Sequence, residues 1–217
     1  MNVTLPIFMK HAQKVTKTAS AGRPILHGVY FRKDGALVVT DSHRMYLATE
    51  SHSQTGEVVQ NPKTGEYIDG NYPDVSRLVP DKVDAKAVIT LNNIDYHVKS
   101  VKAIQQVATI PKRNGDSFTK KISTIVSITN DSGREVLLTT YDSGATANYT
   151  IGLAEEASEP IKLSLNAEYL AQALDIFKDA GIRDVTLYYY GSLRPFTLEG
   201  GNMTALILPM RTIRVAE

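Results

Sequence analysis

The chain has 217 residues, 42% of them apolar and 22% charged, with a formal net charge of +1 and no cysteine. That length buries a sizeable core in one large domain or two modest ones. The missing cysteines exclude disulfides, thiolate catalysis and cysteine-bound zinc or iron–sulfur centres, and near-neutrality argues against a dedicated, tight nucleic-acid binder while leaving room for a local basic face.

In chain order, Asn2 to Leu5 reads as a short strand. Pro6 suits the first turn of a helix whose apolar stripe is Ile7, Phe8, Ala12 and Val15, and Gly22 fits the turn beyond it. Strand-like runs follow at Ile25–Phe31, Ala36–Thr40 and Arg44–Thr49, the first two joined by the hairpin signal Asp34-Gly35. Residues 50 to 64 are polar and weakly patterned, a loop or loose hairpin without a helix. Residues 69 to 80 are turn-rich and end near the apolar pair Leu78-Val79.

The scheme then restarts. Ala87–Leu91 reads as a strand, Asn92 or Asn93 can cap a helix to about Thr109, and strands follow at Ser123–Thr129, Glu135–Tyr141 and Thr146–Gly152. A third round opens with the strand Ile161–Leu165. Asn166 caps a helix from Ala167 to Ala180, Gly181 stops it, and strands follow at Asp184–Tyr190, Phe196–Glu199 and Ala205–Leu208. Three helices on a mainly antiparallel scaffold define an α+β fold. The composition around Pro80 to Asp84 marks a boundary between residues 1–82 and 83–217.

No arrangement of residues compels a catalytic reading. A glycine-rich phosphate loop, His-Glu-x-x-His and Gly-x-Ser-x-Gly are all missing, and the five histidines are scattered. Asp41 beside His43 and Arg44 permits acid–base work in principle, yet such a trio more often ends a strand and holds a turn. Lys10, Lys14 and Lys17 on the first helix and Lys99 and Lys102 on the second suit either solvent or phosphate. The run from Leu206 to Arg211 reads as a last core strand or as a methionine- and proline-lined groove. Nothing resembles a signal peptide or reaches the ~20 apolar residues of a membrane helix, so a cytoplasmic protein with no membrane partner is expected.

Three separated segments carry a family resemblance. Arg23-Pro24-Ile25-Leu26-His27-Gly28-Val29 through Thr40-Asp41-Ser42-His43-Arg44-Met45 resembles the strands of the bacterial sliding clamp, the β subunit of DNA polymerase III, that end in Thr-Asp-Gly-His-Arg-Leu. Asp69-Gly70-Asn71-Tyr72-Pro73-Asp74 through Arg77-Leu78-Val79-Pro80 is similar to the motif closing that family's middle domain. Leu165 to Leu170, Ser192 to Pro195 and Leu208-Pro209-Met210-Arg211 resemble its last half-domain.

The resemblance implies a DNA-clamp-like fold of repeated βαβββ half-domains. Residues 1–82 would be a truncated counterpart of the middle domain and 83–217 a complete counterpart of the last. It implies no enzyme activity, cofactor or metal. It also implies a pocket for linear peptide motifs of DNA polymerase or other replication and repair proteins. That pocket would be lined by Leu26, Thr40, Ser42, His43, Arg44, Met45, Pro73, Leu78, Leu206, Leu208, Pro209 and Met210, with Arg23, Arg77 and Arg211 at its edge. Lys10, Lys14, Lys17, Lys99 and Lys102 would face double-stranded DNA, weakly and without sequence specificity.

Two roles follow. One is a DNA polymerase processivity factor; the other is a ring-less adaptor or competitor of a host clamp, from a phage or mobile element. A small hydrolase using Asp41, His43 and Asp74 is the rival from another class. Ser42 and Thr212 depart from the family's glycine and leucine. The shortened middle domain leads us to expect no stable closed ring.

Overall fold

The computed structural model describes residues 1–108, 113–114, 117–118, 125–130, 135–140 and 146–210. Helix α1 (Leu5–Thr16) has proline in its first turn and buries Phe8, His11, Ala12 and Val15 along one stripe. The strand expected at Asn2–Leu5 does not form. Val3 is buried, but its N–H donates to Asn202 Oδ1 (2.7 Å) and its carbonyl accepts from Asn202 Nδ2 (3.2 Å). One side chain near the other end of the sequence thus does the work of a strand ladder.

The run expected as one strand from Ile25 to Phe31 divides in two. Pro24–His27 forms a 3-10 turn, and only Val29–Phe31 (β1) is extended. Proline supplies no N–H and fixes its own φ, which favours the turn. Gly28 then marks a close approach, since a Cβ there would run into Val59 Cγ1. β2 (Leu37–Thr40) and β3 (Arg44–Ala48) follow, and Gly35 takes the positive φ of 81° that the Asp34-Gly35 turn requires.

The polar stretch from 50 to 67 holds no helix. It does hold a short strand, β4 (Val58–Gln60), which pairs antiparallel with β1 and whose Gln60 bridges to Tyr67. The next round comprises β5 (Ala87–Leu91), α2 (Ile94–Ala108), the small hairpin β6 (Arg113–Asn114) and β7 (Ser117–Phe118), then β8 (Ile125–Thr129), β9 (Glu135–Thr140) and β10 (Asn148–Ala157). The hairpin β6–β7 has no counterpart in the sequence reading. The expected strand positions 123, 124 and 141 lie outside the described residues. The last round is β11 (Lys162–Asn166), α3 (Ala167–Asp179), β12 (Val185–Tyr189), β13 (Phe196–Gly200) and β14 (Met203–Ile207). Asn166 Oδ1 accepts from Glu168 N at 2.9 Å as an N-cap, and Gly181 ends α3 at φ 70°.

Twelve strands form one antiparallel sheet in the order β11-β8-β9-β10-β5-β12-β13-β14-β3-β2-β1-β4. Two rounds exchange their leading strands: β5 pairs with β12 of the last round, and β11 pairs with β8 of the one before. β4 stands beside β1 in the equivalent position. It is therefore the leading strand of a half-domain whose helix and remaining strands have no counterpart between β4 and β5.

The helices cover one face of the sheet over the main core. The pleat sends alternate residues to the other face. There Val38, Met45 and Leu206 form a second small core with Val75, capped by Tyr72 and Val79. The turn-rich segment from 72 to 79 thus roofs the sheet where β14 pairs with β3, which is why β2 is buried on both faces.

Candidate peptide-binding site

A cavity of about 280 Å³ opens between that roof and the ends of β2, β3 and β14. Each contributing segment has a physical reason to be there. The β2–β3 turn is folded around Asp41, whose Oδ1 accepts from the backbone N–H groups of His43 and Arg44, both at 3.0 Å. Its Oδ2 accepts from Thr18 Oγ1 (2.6 Å) and Arg44 Nε (3.1 Å). Thr40 Oγ1 donates to the Arg44 carbonyl at 2.7 Å. The continuation of β14 is held to this turn by Leu208 N–H donating to His43 O at 2.9 Å. Tyr72 fixes the roof by accepting the Thr40 N–H at its hydroxyl oxygen (3.1 Å), and burial pushes the Tyr72 pKa up.

The structure brings most of the expected pocket residues together. Leu26 comes from the 3-10 turn and Arg23 from its N-cap, and Thr40, Ser42, His43, Arg44 and Met45 from the hairpin. Pro73 and Leu78 come from the roof, Leu206 and Leu208 from the last strand and its end. Asp74, Val75 and Pro195 also line the cavity but were missed. Val75, buried in an otherwise polar run, was the available signal for the roof.

Three expected residues do not line it. Arg77 is 90% exposed and lies 3.7 Å from Asp74. β14 ends at Ile207 because Pro209 has no N–H to extend the ladder. Beyond it the Met210 N–H donates to Ser164 O (2.7 Å), which carries Pro209 and Met210 towards β11 and away from the cavity. Arg211 and Thr212 lie outside the described residues.

Arg44 contributes a wall to the cavity, not an available charge. It is 1% exposed; its guanidinium donates to Asp41, Gln172 Oε1 (2.6 Å) and the Lys14 carbonyl (3.1 Å), and sits 4.3 Å from the Tyr169 ring centroid. Ser42 adopts φ 74°, the left-handed region where a Cβ is strained. Ser42→Gly is therefore expected to relieve roughly 1 kcal/mol of backbone strain and to raise the thermal midpoint by a few degrees in calorimetry. An unchanged or lowered midpoint would show that the Arg23 Nη1 to Ser42 Oγ contact (3.4 Å) outweighs the strain.

The lysines singled out from the sequence are on helix surfaces. Lys10, Lys14 and Lys17 line a groove of about 670 Å³ with His27 and Lys63, while Lys99 is exposed on α2. Several are tied to α3: Lys10 to Asp179 (2.7 Å), Lys14 and Lys102 to Asp175 (3.5 and 2.6 Å). Buried His11 also contacts Asp179 (2.8 Å), and burial holds its pKa below the ordinary histidine value. Among the described residues, no cluster of three or more His, Asp or Glu is placed to hold a metal ion, and no helix is long and apolar enough to cross a membrane.

No family model matches the sequence. The chain is 27% identical over 240 aligned positions to the beta sliding clamp of Staphylococcus epidermidis, an alignment covering 90% of this chain and 59% of the relative. The DNA polymerase sliding clamp of Bacillus subtilis superimposes with a TM-score of 0.72 at 20% identity, over 95% of this chain and 63% of that one. The Helicobacter pylori beta clamp bound to a DNA ligase peptide gives 0.69 at 16% identity, over 98% and 65%. The fold is therefore the α+β DNA-clamp fold. The chain resembles bacterial sliding clamps in shortened form, spanning about three-fifths of the length of the curated relatives it matches.

Proposed function

We propose that this chain is a non-enzymatic, cytoplasmic, clamp-type binding module that holds linear peptide motifs of DNA polymerase or other replication and repair proteins. Residues 1–82 act as a shortened unit and 83–217 as a complete one. The carrying observation is the apolar cavity itself, built from five segments far apart in the sequence. Leu26, Met45, Leu206 and Leu208 offer hydrophobic walls to leucine and phenylalanine anchors, and a few such buried side chains supply most of the affinity in contacts of this kind. The ligase peptide on the Helicobacter pylori clamp supports the same mode of use.

A hydrolytic role for Asp41, His43 and Asp74 is disfavoured by the bonds Asp41 already makes, since they commit its carboxylate to the turn. Weak, sequence-independent contact with double-stranded DNA through the Lys10–Lys17 face belongs to this reading, as does a role in polymerase processivity.

Leu208 provides the test, because it lines the cavity yet is 39% exposed and can be truncated without opening the core. Titrating a labelled peptide with a glutamine followed by a Leu-Phe end should give binding. Leu208→Ala should weaken it about tenfold, roughly 1–2 kcal/mol. Lys99→Ala, on an exposed face of α2, should leave it unchanged. Equal losses from both variants, or no binding by the wild type, would reduce the cavity to a seam in the fold.

A further inference from the structure

Beside the apolar cavity lies a larger, chemically different groove of about 680 Å³. It lies where β4 pairs with β1 and the chain returns from the bridge at Tyr67 to Tyr72. Its walls are aromatic and acidic: Tyr30, Tyr67 and Tyr72 with the carboxylates of Glu57 and Asp69, and none of its ten lining residues is basic. Tyr30 and Tyr72 stack with ring centroids 5.1 Å apart and 20° between planes. Burial first, and the neighbouring Glu57 carboxylate second, hold the Tyr30 pKa above its ordinary value, and both residues line the groove.

The groove neighbours the cavity. A smaller hollow of about 240 Å³ lies between them, sharing Tyr30, Glu57 and Tyr72 with the groove and Pro73, Asp74 and Val75 with the cavity. Arg32 also borders this hollow, but its guanidinium is held 2.7 Å from Asp34. A chain leaving the cavity across Pro73 therefore meets tyrosine faces rimmed with negative charge.

We propose that this groove receives an arginine- or lysine-bearing stretch of the same partner peptide whose apolar anchors fill the cavity. The inference rests on the peptide-binding reading of that cavity and adds to it a preference for positive flanking charge. Arginine suits the site best. Its planar guanidinium stacks on a tyrosine face while its donors reach a neighbouring carboxylate. The carboxylates are solvent-accessible, so each contact is individually weak and screened by salt. The protein's net charge is only +1, so a gain from positive charge on the peptide would not come from a general attraction.

Four labelled peptides test it by fluorescence anisotropy: the glutamine and Leu-Phe anchor alone, and the same anchor flanked at both ends by three arginines, three glutamines or three glutamates. At low salt the arginine form should bind about tenfold more tightly than the glutamine form and the glutamate form more weakly, with the spread shrinking as salt rises. The variant Glu57→Gln/Asp69→Asn should bring the arginine form down to the glutamine form and leave the latter unchanged. Equal binding of the arginine and glutamine forms would overturn the proposal while sparing the cavity reading. An arginine advantage that survives the double variant would overturn it too. Failure of the anchor and glutamine forms to bind would overturn both readings together.

Discussion

Asp41→Ala is expected to cost the fold about 3–5 kcal/mol, because it leaves Arg44 as a buried charge without its carboxylate. The Asp41 side chain is fully buried and that of Arg44 is 1% exposed. The guanidinium would keep Gln172 and the Lys14 carbonyl as partners, but no negative charge. The same substitution removes the acceptor that folds the β2–β3 turn, since Asp41 Oδ1 takes the N–H groups of both His43 and Arg44. Against a typical total of about 5–15 kcal/mol, that loss is a large fraction of the stability.

Urea denaturation of the wild type and three variants separates the contributions. Asp41→Asn keeps an oxygen for the turn and should fall between wild type and Asp41→Ala. Asp41→Ala/Arg44→Met removes both charges and should recover part of the loss, because the stranded charge is gone. A drop below about 1 kcal/mol for Asp41→Ala would mean that water reaches Arg44 and the pair contributes as a surface ion pair does.

Some elements were legible because their signals are local. β5 carries its alternation in five residues, and α3 has a capping asparagine at one end and a glycine stop at the other. Others depend on partners that local pattern does not reveal. Val3 reads as part of a strand, yet its partner is the side chain of Asn202. Val58 and Val59 are two apolar residues in a polar stretch, and pairing with β1 makes them a strand. Ile25 to Phe31 has the composition of a strand, but Pro24 and the tight approach at Gly28 give its first half to a 3-10 turn.

The candidate site was legible only through resemblance. Its walls come from the 3-10 turn, the β2–β3 hairpin, the roof, the turn before β13 and the end of β14, and no period or spacing links five such segments in a sequence. Local geometry then decided the details. Proline at 209 turns Met210 away, while Val75 and Pro195 enter as packing partners that no motif singled out for the site.

Phe8→Ala is expected to destabilise the protein by about 3–5 kcal/mol and, more informatively, to weaken peptide binding at a distance. Phe8 is fully buried on α1, where it, Ala12 and Val15 hold the helix to the sheet. The half-domain that would follow β4 supplies no second helix beside α1, so this stripe and the contacts with α3 carry its attachment. The C-terminal end of α1 leads directly to the site: the Lys14 carbonyl accepts from Arg44 Nη2, and Thr18 Oγ1 donates to Asp41. A loosened helix therefore slackens the turn that presents Ser42 and His43 to the cavity. Lys17→Ala, exposed at the C-cap of the same helix, should change neither stability nor peptide affinity. Denaturation and peptide titration are measured on the same three proteins, at a temperature where Phe8→Ala remains folded by circular dichroism. Unchanged affinity of that folded variant would show that the cavity is set by the sheet alone and that α1 contributes only stability.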